Sequence, residues 1–121
     1  MIRIRFATGA LSAAALAALA GCHSYHIDTT IENRTGAAVK LLEVDYPSAS
    51  FGIDAIAPGA NYNYRFQIRG NGQLKVQYTE PNGQLAKLTG PKLEEGQEGK
   101  LDIVLLPQAK AEFLPELSPG H

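Results

Sequence analysis

The sequence predicts an all-β fold, a single antiparallel β-sandwich of about seven strands, and three observations carry that expectation. Extended runs with an apolar residue at every second position recur along the chain. Clusters of Gly, Pro and Asn separate them at roughly 8–12-residue intervals, as in small all-β domains. After residue 21, no apolar stripe at helical spacing continues for the length of an ordinary helix. A small open barrel is the alternative way to close the same strands.

The first strand is "SYHIDTTIEN", where Tyr25, Ile27, Thr29 and Ile31 alternate with more polar neighbours. "RTGA" turns the chain into "AVKLLEVDY", the second strand. There Val39 and Leu41 fall out of phase with Leu42, Val44 and Tyr46, which requires a β-bulge or a strand buried on both faces. Pro47 ends it. "SFGIDAI" is a weaker extended segment, closed by the turn "PGAN".

"NYNYRFQIR" has the clearest pattern. Tyr62, Tyr64, Phe66 and Ile68 share one face, and Asn61, Asn63, Arg65, Gln67 and Arg69 share the other. "GNG" then leads into "QLKVQYTE", with Leu74, Val76 and Tyr78 in phase, so these two runs are expected to form a β-hairpin. "PNGQ" turns into a short strand around Leu85 to Leu88, and "GPKLEEGQEG" reads as a polar loop. The last strand is "KLDIVLL", with Leu101, Ile103 and Leu105 inward. Its Val104 and Leu106 make it apolar on both faces, hence central or covered by the tail. The tail has room for one or two helical turns between residues 109 and 114, since Pro115 and Pro119 forbid more.

The first 21 residues stand apart from this pattern. Arg3 and Arg5 precede an apolar run from Phe6 to Ala20, interrupted only by Thr8, Gly9 and Ser12. A membrane-spanning helix needs about 20 apolar residues, and this run is shorter. The small residues Ala18, Ala20 and Gly21 follow it, as at a signal-peptidase site. The expectation is a cleaved helical signal peptide over residues 1–21.

Leu19-Ala20-Gly21-Cys22 resembles the lipobox of bacterial lipoproteins. The resemblance implies cleavage between Gly21 and Cys22, alkylation of the Cys22 thiol with diacylglycerol, and acylation of the new amine with a chain such as palmitate. Several chains make physical sense, because one alone holds a protein to a bilayer only reversibly. His23 stands where Asp would retain an enterobacterial lipoprotein in the inner membrane. The resemblance therefore implies the cell envelope, at the periplasmic face of the outer membrane. The expected organisation is the signal peptide, a lipid anchor and short tether over residues 22–26, a β-sandwich over 27–106, and a proline-containing tail over 107–121. With no more than four residues between Cys22 and the first strand, the domain sits close to the bilayer.

Cys22 is the chain's one cysteine, so no internal disulfide forms. Without Arg3 and Arg5, nine Lys/Arg face twelve Asp/Glu, and no run of like charge stands out. That pattern gives no footprint for nucleic acid and no polybasic patch for anionic lipid. The segment "IENRTGAAVKLLEVDY" resembles first hairpins of small bacterial immunoglobulin-like domains. The resemblance implies an immunoglobulin/fibronectin-like sandwich without its disulfide, and it implies nothing about activity.

Candidate chemistry is sparse. His23, His26 and Asp28 form an H-x-x-H-x-D pattern, but in strand geometry His23 lies opposite the other two, so no metal site is assigned. The serines lack a G-x-S-x-G elbow, and no histidine lies between Asp28 and Pro107 to act as base. Carboxylate pairs exist at Glu43/Asp45 and Glu94/Glu95; both read as solvated, and no catalytic residue is assigned. Asn33-Arg34-Thr35 matches an N-glycosylation sequon.

Partner contact has two candidates. One is the weakly charged stretch from Tyr46 to Gly59 carrying Phe51 and Ile53. The other is a basic strip of Arg65, Arg69 and Lys75 on the outer face of the expected hairpin. These observations lead to a membrane-anchored envelope lipoprotein, non-enzymatic and without cofactor, acting as an interaction or structural module for another envelope protein or polysaccharide. The alternatives are a small periplasmic hydrolase using carboxylates, or a small-ligand or metal carrier.

Overall fold

A computed structural model describes residues 24–119. The leader, the Gly21–Cys22 bond and His23 lie outside the described residues. The described chain forms eight strands: β1 (Ile27–Asn33), β2 (Val39–Tyr46), β3 (Ala49–Ile56), β4 (Asn61–Phe66), β5 (Gly72–Thr79), β6 (Leu85–Leu93), β7 (Glu98–Leu106) and β8 (Lys110–Ser118). They build two four-stranded sheets, ordered β4-β1-β7-β8 and β3-β2-β5-β6. All pairings are antiparallel except β1 with β7, which run parallel. Among the described residues no helix is long and apolar enough to cross a membrane.

Alternation decides what goes inside. On β1, Ile27, Thr29, Ile31 and Asn33 are buried while Asp28 faces out. Leu74, Val76 and Tyr78 on β5 meet Leu101, Ile103 and Leu105 on β7 in one core between the sheets. β7 is central, between β1 and β8, and its outward Val104 is also buried. The out-of-phase β2 resolves as a bulge. The β2–β5 register slips by one residue between Lys40 and Glu43, with Leu41 at φ +51° and pushed into solvent.

Two expectations are corrected. β4 and β5 are not a hairpin: they lie in different sheets, and residues 67–71 form an arch between them. Ile68 points into the core from that arch, and Glu95 Oε1 accepts from the Gly70 amide at 2.9 Å. The hairpins are instead β2–β3, β5–β6 and β7–β8. The tail, in turn, is strand β8 rather than helical turns, so the sandwich extends to Ser118. Pro115 is tolerated because β8 is an edge strand. At Gly99 (φ +134°) a Cβ would run into the Glu116 carbonyl oxygen, which explains a glycine where β8 crosses the start of β7.

Both open sides of the sandwich are closed by aromatic rings. Between β3 and β4, Phe51 stacks on Tyr64 at 4.0 Å, and Tyr46 stacks on Phe66 at 4.2 Å. Between β6 and β8, the Phe113 ring lies directly over Gly90, in the space a side chain there would occupy. β6 also bulges between Gln73 and Lys75 of its partner, where Gly90 and Pro91 supply the extra residue.

Candidate functional site

The topology sorts every connection to one of two ends. Ser24 and the chain entry share an end with residues 47–48, 67–71 and 94–97. The opposite end gathers residues 34–38, 57–60, 80–84 and 107–109. The described chain enters at the first end, and the second lies opposite.

At the entry end, an open depression of about 570 Å³ lies on the outer face of the β4-β1-β7-β8 sheet, bordered by His26, Asp28, Arg65, Lys100 and Glu116. The register sets Arg65, Asp28, Lys100 and Glu116 side by side across four strands, with alternating charge. The Arg65 Nε donates to Asp28 Oδ1 at 3.0 Å, and both side chains are more than half exposed. Such a pair contributes little in water. His26 and Asp28 share this depression, and among the described residues no three His, Cys, Asp or Glu side chains gather as a metal site.

The structure does not assemble the basic strip. Arg65 is on β4, Arg69 is in the arch after it, and Lys75 is on the outer face of the other sheet, in register with Asp45. Because β4 and β5 are not hairpin neighbours, the three cannot form one patch. The stretch carrying Phe51 and Ile53 is not a loop but strand β3. Phe51 is buried in the core on Tyr64, and Ile53 is half-buried against the same core.

One carboxylate of each pair is already engaged. Glu43 Oε2 accepts from Gln77 Nε2 at 3.2 Å. Glu95 ties the arch to the β6–β7 turn, and its own amide donates to Asn71 Oδ1 at 2.9 Å. The Glu94 amide donates to Gln97 Oε1. The sequon asparagine is also committed. Asn33 is fully buried, and its Nδ2 donates to the carbonyls of Ala37 and Ile56 at 2.8 and 2.9 Å. A glycan on that nitrogen is incompatible with the fold.

Sequence reasoning passed over the far end. A cavity of about 140 Å³ opens there between the β1–β2, β5–β6 and β7–β8 connections. Val39, Tyr78, Glu80, Pro81, Leu106 and Pro107 border it, and Glu80 is its one charged residue. Burial pushes the Tyr78 hydroxyl above its ordinary pKa, and the nearby Glu80 carboxylate adds to the shift. Burial likewise raises that of Tyr46, with Tyr64 adding to it. The β7–β8 turn at its rim holds two non-glycine residues at positive φ, Gln108 (+66°) and Ala109 (+53°). The signal in sequence was faint: a charged residue before a proline at "YTEPNG", far from "LLPQAK" until the strands pair.

No family model and no curated protein matches the chain. Among solved structures, one similar in fold is described as the NMR structure of a protein from Eubacterium rectale. It covers 75% of this chain and 88% of its own, with a TM-score of 0.54 and 13% sequence identity. At that identity the likeness establishes a shared all-β fold and nothing further.

Proposed function

We propose that this protein is a lipid-anchored lipoprotein of the bacterial envelope, held at the periplasmic face of the outer membrane through Cys22. In this reading it is non-enzymatic and works by binding another envelope protein. The lipobox Leu19-Ala20-Gly21-Cys22 supports the anchor. β1 begins at Ile27, so the tether is too short for the sandwich to stand far from the bilayer.

The observation that carries the binding role is an asymmetry among the sheet edges. β6 is interrupted by Pro91 and a bulge and carries Lys87 and Lys92; β8 carries Pro115 with Lys110, Glu112 and Glu116. β4 is short and carries Arg65. These are the usual devices that prevent edge-to-edge pairing. β3 has eight residues, no proline and one charge, Asp54, and its exposed positions are Ala49, Ser50, Gly52, Asp54 and Ala55. Small side chains leave that backbone edge open to an added strand, the mode called β-augmentation. The immunoglobulin-like reading gains support from the strand order. β1 to β6 follow the pairing of strands B, C, C′, E, F and G in such sandwiches, with β7 and β8 extending the sheet beside β1.

A photo-crosslinking residue at Ser50 or Ala55, in intact cells, tests the binding role. The reading requires a discrete adduct from β3 positions and none from Thr89 on β6. Equal adducts from both edges, or none from β3, overturn it. Cys22→Ala tests the anchor separately: the protein is expected to leave the membrane fraction and to lose the acylated mass.

A further inference from the structure

The far-end cavity joins four features that no part of the binding reading uses. Tyr78 is 2% exposed and belongs to the core. The residue borders the cavity, and its hydroxyl lies close enough to Glu80 to feel that carboxylate. Thus a tyrosine and a glutamate, whose side-chain oxygens can accept hydrogen bonds, border one small space.

Ala37, Val39, Pro81, Leu106 and Pro107 give the cavity an apolar side, and Thr35 and Gln108 are its uncharged polar lining. The 140 Å³ volume holds more than a water molecule but falls well short of the roughly 300–1,000 Å³ of a typical metabolite pocket. The occupant is therefore one functional group and a short stem rather than a whole cofactor. Its charge follows from Glu80, the one acidic residue in a lining that holds no Lys, Arg or His. An anion would meet repulsion and no donor of opposite charge.

The rim is held rigidly for such a role. Gln108 and Ala109 occupy the left-handed region that glycine or asparagine ordinarily takes in a tight hairpin. On the opposite rim, the Glu80 amide donates to the Gln84 carbonyl at 2.8 Å, and Gly83 donates to the Glu80 carbonyl at 2.8 Å, fixing the Glu80 backbone. Strained or locked backbone at a cleft is a familiar mark of a binding site, although the geometry of the cavity carries the case here.

We propose that this cavity binds a primary ammonium group on a short aliphatic stem, the group donating to Glu80 and to the Tyr78 hydroxyl oxygen while the stem lies against Val39, Pro81, Leu106 and Pro107. A lysine side chain of a partner and a free alkylamine share this chemistry. An ammonium suits the site better than a guanidinium, because a cavity of about 140 Å³ has room for a compact tetrahedral donor rather than a broad planar fork. The site lies at the end opposite the chain entry at Ser24 and is independent of strand addition at β3.

The test is an NMR titration of the ¹⁵N-labelled full chain in detergent micelles with n-butylammonium, n-butylguanidinium and butan-1-ol. Lysine-containing and norleucine-containing tripeptides distinguish a chain-borne amine from a free one. Saturable shifts are expected at the amides of Glu80, Gln108 and Ala109 with butylammonium or the lysine peptide, and none with butanol or norleucine. Glu80→Gln and Tyr78→Phe, which keep side-chain volume, should each weaken binding about tenfold or more. Equal response to butanol makes the cavity merely apolar and overturns the proposal. So does tighter binding of the guanidinium, a response centred on Asp28 and Glu116, or an unchanged affinity in both variants. The titration of the unaltered protein decides the matter even if one variant folds poorly.

Discussion

The Asn33 side-chain amide donates to the Ile56 carbonyl at 2.9 Å, joining the end of β1 in one sheet to the end of β3 in the other. The same nitrogen donates to Ala37, and Oδ1 accepts from the Thr35 amide and hydroxyl at 3.0 and 2.7 Å. The Asn33 backbone closes the set, donating to Ala60 and accepting from Gly59. One buried side chain thus satisfies two turns at the far end, where no regular ladder reaches. Asn33→Ala removes the side-chain donor to the Ile56 carbonyl, one of two side-chain donors to the Ala37 carbonyl, and the acceptor of the Thr35 amide. It is expected to lower stability by about 2–4 kcal/mol, read from urea unfolding followed by circular dichroism. A loss below about 0.5 kcal/mol would show that water replaces the amide.

Gly90 and Phe113 form the second joint. A Cβ at residue 90 would meet the Phe113 ring at 2.9 and 3.0 Å and Leu74 Cβ at 3.2 Å, so ring and glycine are mutually fitted. Gly90→Ala should cost about 1–3 kcal/mol by overpacking, and Phe113→Ala a similar amount by leaving a gap. Combining them should cost clearly less than the sum, because the methyl then occupies vacated space. A double-mutant cycle measures this coupling; additivity within about 0.3 kcal/mol would mean that the ring moves aside freely.

This joint also shows where sequence was legible. The faces of β1, β2, β5 and β7 follow directly from alternation, and the bulge at Leu41 was visible as a change of phase. Alternation does not say which sheet a strand joins. In a sandwich, a hairpin within one sheet and an arch between two sheets bury the same residues, so Tyr64, Phe66, Leu74 and Val76 fit either. The Gly70-Asn71-Gly72 turn favoured the hairpin locally, whereas Ile68 entering the core and Glu95 capping Gly70 favour the arch. Ala111, Phe113 and Leu117 carried strand period in the tail, masked by Pro115, which an edge strand accepts, and by Pro119 just beyond it. The far-end cavity was illegible because Tyr78, Glu80 and Pro107 meet only after the sheets pack.

Leu41 is the clearest place to gain stability. It is 67% exposed and held at φ +51°, a conformation that costs a β-carbon-bearing residue roughly 1 kcal/mol. Asparagine adopts that region more readily and loses no buried contact. Leu41→Asn should raise stability by about 0.5–1 kcal/mol, seen as a higher urea midpoint with an unchanged slope. An unchanged or lower midpoint would mean that the exposed leucine packs on its neighbours more than its accessibility suggests.

Alkaline pH should unfold the protein through its buried phenols. The hydroxyls of Tyr78 and Tyr46 titrate above their ordinary value of 10.0 in the folded chain, chiefly because burial disfavours the phenolate. Above about pH 10 the unfolded chain releases these protons while the folded chain keeps them. The unfolded state then binds fewer protons, and stability falls as pH rises. The contribution is complete below pH 10 and is lost as pH climbs toward the raised folded values. Thermal midpoints measured between pH 8 and pH 11 should therefore be flat at first and then decline. Tyr78→Phe removes one titrating group while keeping the ring, so its decline should be shallower than that of the unaltered protein. Identical slopes would place the alkaline transition elsewhere than at Tyr78.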